Sequence, residues 1–414
     1  MQKSHGTLTC QKPKVLYLIA LSIFLIASCK TEQSLVSKII SKHYYKEWFF
    51  LNTSGDETTT IPFEIIDGWI VLKLQINEKD TTHYKFIFDT GAMTTIDLDL
   101  ARNLNLPILR DLTAVDVNSS ESKAVLTSIN KLKIGERTFF NVGAISSKSD
   151  IFGCNEIKGL FGLNLMRDAV FRINFKSKLL SISSTLNASI SNFDQIKIAN
   201  DWKKYNFIEL KSNNKTINAL FDTGFPDYVA LNNSLKNKFE IDSFLKSKLL
   251  FTGGLSSSVS DTLHFYRPHN LKAGEQMLDR EVFVFSNNKT LIGSGFLSGF
   301  EEVIIDVSNN KLYVSKNKTE ISKLYKIPNV TLGWKNGSVK VTSLVVGSKV
   351  EEMGIRLDDQ VVSINNISTS DLHDACMYKK FKIDNAIFKS DLRLTILRSE
   401  SMFDYFINSS ILYD

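Results

Sequence analysis

Two stretches of the chain, KFIFDTGAMT at residues 85–94 and NALFDTGFPD at 218–227, carry the tetrapeptide Phe-Asp-Thr-Gly behind a short apolar run. A single Asp-Thr-Gly is a common turn tripeptide, but two copies in matching surroundings point to an internal repeat. With Asp89 set on Asp222, FIFDTG faces ALFDTG at an offset of 133 residues, and upstream WIVLKL (69–74) is set against FIELKS (207–212) at an offset of 138. Downstream, KGLFG ending at Gly162 faces TLIG ending at Gly293, at an offset of 131. FRINFKSKLLSIS (171–183) faces VIIDVSNNKLYVS (303–315) at an offset of 132. The nearly constant offset of 131–133 from the motif onward defines two versions of one unit, 61–187 and 188–320. Short runs rich in Ile, Val, Phe and Leu, broken by Asn, Asp, Ser and Gly, make both units mainly β.

The duplicated motif has a physical use. An apolar strand followed by Asp-Thr-Gly holds the carboxylate at a rigid strand end, and the Gly lets another backbone approach closely. Two such units around an approximate twofold axis would bring Asp89 and Asp222 side by side. Two touching carboxylates cannot easily both ionise, so the pair keeps one proton between them. One member then accepts a proton from water while the other donates to a carbonyl oxygen, the requirement of general acid–base hydrolysis. No metal or cofactor is needed for this chemistry.

These residues resemble the pepsin and retropepsin class of aspartic proteases over about 61–320. The resemblance implies a bilobed pair of β-barrels and an endopeptidase acting on a peptide or protein substrate. It implies Asp89 and Asp222 as the catalytic pair and Thr90 and Thr223 as the residues that lock the two loops. Gly91 and Gly224 match the glycines whose backbone groups hold the carboxylates. LFG and LIG, ending at Gly162 and Gly293, match the element that buttresses each loop. The short lobes and Ala92 look retropepsin-like. Family members cover the cleft with a β-hairpin flap, for which DVNSSES (116–122) and TGGLSSSVS (252–260) are candidates. Ala92 and Phe225 place no hydroxyl beside the motifs, so the pair lacks a donor that would stabilise its charge. Its lower apparent pKa should then rise, and activity should peak in mildly acidic to neutral solution.

The N-terminus indicates export. Lys3, Lys12 and Lys14 precede the apolar VLYLIALSIFLIA (15–27), which ends in IASC. This resembles the signal peptide and lipobox of bacterial lipoproteins, implying removal of 1–28 and a lipid anchor on Cys29. The expected location is the bacterial cell envelope, at a membrane surface. Residues 29–60 are expected to form a tether, with helical spacing over 34–51 and a loop at 52–60. Removal of Cys10 and lipidation of Cys29 leave Cys154 and Cys376, which are read as small buried hydrophobes rather than a disulfide framework.

From about residue 321 the character changes. VKVTSLVVGSKVEEMGIRLDDQVVSINNIS (339–368) shows strand, turn, short helix, turn and strand, an order similar to the PDZ domains of bacterial exported proteases. The resemblance implies a small β-sandwich with short helices over 321–414 that binds a C-terminal peptide by strand addition. Leu332, Gly333 and Trp334 of TLGW are the candidate carboxylate-binding loop. Asp358 and Asn366 stand where that pattern has turn glycines, and both residue types tolerate a left-handed backbone.

The remaining signals are weak. A net charge of +6 spread among Asn and Ser gives no basic patch for nucleic acid. GSGFLSG (293–299) has the wrong spacing for a dinucleotide loop, and the histidines show no metal-ligand spacing. The alternative reading is a peptide-binding lipoprotein that uses the same cleft and groove without turnover.

Overall fold

The computed structural model describes residues 53–412 except 55–57, 78–80, 116–120, 149–155, 168, 187–188, 201–204, 213–214, 233, 236–240, 254–257, 269, 279–282, 287–288, 320–327 and 389. The expected signal segment, Cys29 and the helix-like stretch 34–51 lie outside these residues. The fold is mainly β, and the two units repeat one topology.

In each unit a buried strand ends at the motif. His83–Phe88 lies between the antiparallel strand Trp69–Ile76 and the parallel strand Ile157–Phe161. Lys215–Phe221 lies between Asn206–Ser212 and Leu291–Ile292 in the same senses. Phe86, Ile87 and Phe88 are all buried, as are Ala219, Leu220 and Phe221, because strands covered on both faces need continuous apolar runs. Thr95–Asp97 pairs with Ile157–Phe161, and Val229–Asn232 pairs with Leu291–Ile292, completing the match.

These hairpin registers correct the repeat alignment. Val71 faces Ile87 and Phe207 faces Leu220, so Val71, not Trp69, occupies the place of Phe207. Trp69 then corresponds to Tyr205. A shift of two residues preserves which face each side chain takes, so the apolar pattern alone does not detect it.

Six antiparallel strands join the units, in the order Thr59–Pro62, Leu179–Ser183, Val170–Asn174, Glu302–Asp306, Lys311–Ser315 and Phe193–Asn200. The pseudo-twofold axis passes between the central two, where Arg172 makes a two-pronged contact with Glu302 at 2.6 and 2.8 Å. The loop expected at 52–60 is partly strand. Thr53–Ser54 pairs with Arg137–Ser147, and Thr59–Pro62 forms one edge of the joining sheet. Buried Thr59 and Ile61 alternate with exposed neighbours, a half-buried strand pattern that the Thr-rich composition hides. One continuous core serves both units, with Phe88 and Phe171 in contact at 5.3 Å between ring centres.

Residues 330–412 build a second core around Val330, Leu332, Val341, Ile364, Leu394 and Leu412. Strands Val330–Lys335, Ser338–Val345, Gln360–Ile364, Leu392–Arg398 and Ser401–Ile407 are antiparallel neighbours, and helix Ala375–Asp384 lies against the first. Ser348 and Asp374 cap its helices by accepting from Glu351 N–H and Met377 N–H. Asp358 and Asn366 adopt φ of 71° and 64°, the left-handed turn geometry.

Candidate active site

The two Asp-Thr-Gly loops meet at the axis. Asp89 N–H donates to Phe161 O and Asp222 N–H to Ile292 O, each at 3.0 Å, so each acid begins where its strand leaves the parallel pair. Thr90 and Thr223 are fully buried and exchange bonds reciprocally. Thr90 Oγ1 donates to Phe221 O (2.8 Å) and accepts from Thr223 N–H (3.0 Å). Thr223 Oγ1 donates to Phe88 O (2.6 Å) and accepts from Thr90 N–H (3.0 Å). Each hydroxyl therefore ties the opposite loop to its own strand.

The carboxyl groups are hydrogen-bonded to each other. Asp89 is buried, whereas Asp222 keeps more exposure. Gly91 and Gly224 are obligatory through close approach. A methyl on Gly91 would lie within 3.0 Å of the Asp222 carboxyl, and one on Gly224 within 3.0 Å of the Asp89 carboxyl. Gly91 N–H donates to Asp89 Oδ1 at 2.8 Å, and Ala92 N–H also points at this group. Gly224 and Phe225 N–H serve Asp222 in the same way. Burial, then the neighbouring Asp222 charge, pushes the Asp89 carboxyl well above the usual carboxylate range. Burial also raises Asp222, opposed by the hydrogen bond from Asp89 and by its two backbone donors. Both carboxyl groups are thus pushed up, Asp89 the further, and the pair favours sharing one proton.

The buttresses carry Gly162 and Gly293. Gly162 N–H donates to Thr94 Oγ1 at 3.2 Å, and Gly293 N–H to Tyr228 O at 3.0 Å. Leu163 N–H reaches Ala92 O at 2.8 Å, matched by Ser294 N–H to Phe225 O at 2.9 Å. Three contributors escape a motif search. Asn164 Oδ1 accepts from Thr94 N–H and Oγ1 (2.9 and 2.7 Å), and its Nδ2 donates to Gly143 O (3.0 Å). The visible signal is an Asn inside LFGLNLM, which must find polar partners once buried. Ser294 Oγ donates to Gly68 O at 2.8 Å, and Trp69 Nε1 donates to Gly224 O at 2.8 Å. Both bonds cross between the units, which no local pattern announces.

The flap candidates fall at hairpin tips. Residues 116–120 lie outside the described residues, between strands Ile108–Val115 and Glu121–Ile134. Residues 254–257 also lie outside them, between Ile241–Gly253 and Ser258–Pro268. This second hairpin is bonded along its arm to the C-terminal module, Lys248 facing Val345 and Leu250 facing Ser343.

The expected TLGW loop is a strand. Leu332, Gly333 and Trp334 pair with Val341, Lys340 and Val339. Leu332 is buried in the module's core and Trp334 packs on it, so apolar alternation extends the strand through these residues. Cys376 is disulfide-bonded and exposed, not a buried small hydrophobe; Cys154 lies outside the described residues. Exposure follows from its position on the outer turn of helix Ala375–Asp384, of which Tyr378 is the buried residue.

A family model described as "Aspartyl protease" matches residues 72–165, a span that holds Asp89, Thr90, Gly91 and Gly162. The match supports a protease-type function. Similar solved structures include an aspartic proteinase from Irpex lacteus, at 12% identity and TM-score 0.40, covering 64% of this chain and 100% of that one. Basic 7S globulin from soybean has 10% identity and TM-score 0.39, covering 66% and 100%. A retropepsin-like aspartic protease from Rickettsia conorii has 25% identity and TM-score 0.23, covering 32% and 92%. No curated protein matches the sequence.

Proposed function

We propose that the chain is an aspartic endopeptidase, exported and lipid-anchored at Cys29, with a PDZ-type module over 321–414 that recognises peptide tails. The observation that carries the reading is the hydrogen-bonded pair Asp89–Asp222, each acid presented by one half of a duplicated unit and locked by the other half's Thr. Asp222 takes a proton from water as the oxygen attacks the scissile carbonyl carbon. Asp89 gives its proton to the carbonyl oxygen, and a neutral gem-diol forms. Asp222 then protonates the leaving nitrogen, Asp89 recovers a proton from one hydroxyl, the C–N bond breaks, and the starting state returns.

Supporting the module's role, strand Val330–Lys335 pairs on one side with Ser338–Val345 and has helix Ala375–Asp384 alongside, the frame that strand addition needs. The disulfide at Cys376 agrees with export, since such bonds persist in oxidising compartments.

Replacing Asp89 or Asp222 by Asn and assaying peptide cleavage tests the chemistry. Turnover should fall by at least about 10²- to 10⁴-fold, the range for loss of a general acid or base. A protein that binds peptides and never cleaves them would replace the enzyme with the silent binding reading. Cys29→Ser should move the protein from the membrane to the soluble fraction.

A further inference from the structure

The side chains flanking the dyad differ between the two halves. Along His83–Phe88, Phe86 and Phe88 enter the main core, so Ile87 takes the opposite face, which the period of two also gives to Asp89. Ile87 there joins Val71 and Leu160 in a separate apolar cluster, with half-buried Trp69 and Ala92 against it. Across the axis Leu220 and Leu291 form the corresponding cluster, with Tyr205, Phe207 and Phe225 half-buried against it. Ile87 matches Leu220 and Leu160 matches Leu291, so the floors are alike. The walls are not: Ala92 is replaced by Phe225, and Val71 by Phe207. The Phe225 ring lies over Gly293, its Cδ1 2.7 Å from where a Cβ would stand, whereas at Gly162 the three nearest atoms are all backbone.

We infer that these walls make the cleft size-asymmetric: the face lined by Ala92 takes a bulky apolar side chain, and the face filled by Phe225 admits only a small one. Phe225 is the specificity-determining residue. The inference rests on the proteolytic reading of the cleft. An apolar pocket distinguishes side chains by roughly 10- to 200-fold for each methylene-sized misfit. Mirror-image substrates should therefore be discriminated by at least about 10-fold.

The test uses four otherwise identical peptides with Phe–Ala, Ala–Phe, Phe–Phe or Ala–Ala at the central bond. Each is measured as kcat/KM with the full-length protein and as Kd with Asp89→Asn. One mixed peptide should exceed its mirror by about 10-fold or more, and should exceed Phe–Phe. Phe225→Ala should bring the mirror ratio toward one by improving the disfavoured peptide. Phe225→Leu, a smaller disturbance to packing, should give an intermediate ratio. Equal mirror peptides, or a ratio that Phe225→Ala leaves unchanged, overturn the inference. Unequal binding without any cleavage sustains the asymmetry and overturns the protease reading instead.

Discussion

Thr90→Val is an isosteric change with two separable costs. The hydroxyl it removes is the acceptor for Thr223 N–H and the donor to Phe221 O, and Thr90 is fully buried, so water cannot replace either bond. A buried polar group left without a partner costs about 1–3 kcal/mol, which gives about 2–6 kcal/mol for the two. Against a typical total stability of about 5–15 kcal/mol, the urea midpoint should fall by roughly 1 M or more. Turnover should fall with it, because Asp222 belongs to the loop that Thr90 anchors. Thr90→Ser keeps the hydroxyl and loses one methyl, about 1 kcal/mol, and should retain most of the activity. Urea unfolding of the three proteins, with kcat measured on the same samples, decides the matter. A Val variant as stable as the parent, or a Ser variant as damaged as Val, would refute the assigned role of the reciprocal bonds.

Gly91→Ala places a methyl against the Asp222 carboxyl and should reduce kcat by more than about 10²-fold, read in a peptide assay with circular dichroism to confirm folding. The pH–rate profile should peak in mildly acidic to neutral solution, because burial raises both carboxyl groups and neither Ala92 nor Phe225 adds a side-chain hydroxyl to the backbone donors; a maximum near pH 2 would contradict this. Asp89 has a folded-state pKa raised above its unfolded value, so its contribution is fully present below about pH 4 and is lost as pH rises through the folded value. Asp89→Asn should therefore be more stable than the parent at neutral pH and lose that advantage in acid. Thermal melts of both proteins at pH 3.5 and 7.5 measure this, and a constant difference would count against it.

The doubled motif made the fold and the paired acids legible, because holding two carboxyl groups together on one axis requires the same local solution twice. Thr90, Thr223, Gly91 and Gly224 came with it. Trp69 and Ser294 did not, since their bonds reach the other unit across more than 150 residues of sequence. The strand alignment slipped by two at Trp69 because the apolar period is also two. TLGW reads as a loop by analogy, yet Leu332 has a core to fill. Thr-rich 52–60 reads as a loop, although β-branched Thr also suits an edge strand. Cys376 looked inert because its sequence neighbourhood carries no sign of a pairing partner.

Strand Ser338–Val345 gives the end of its ladder to Lys248–Leu250, and Phe265 packs on Val345, so the C-terminal sheet continues into the second unit. The module is therefore no bead on a string. A chain cut at 320 would bare a hairpin edge and an aromatic that the intact protein keeps covered, inviting self-association through that edge. A shortened gene should therefore keep all of 59–412.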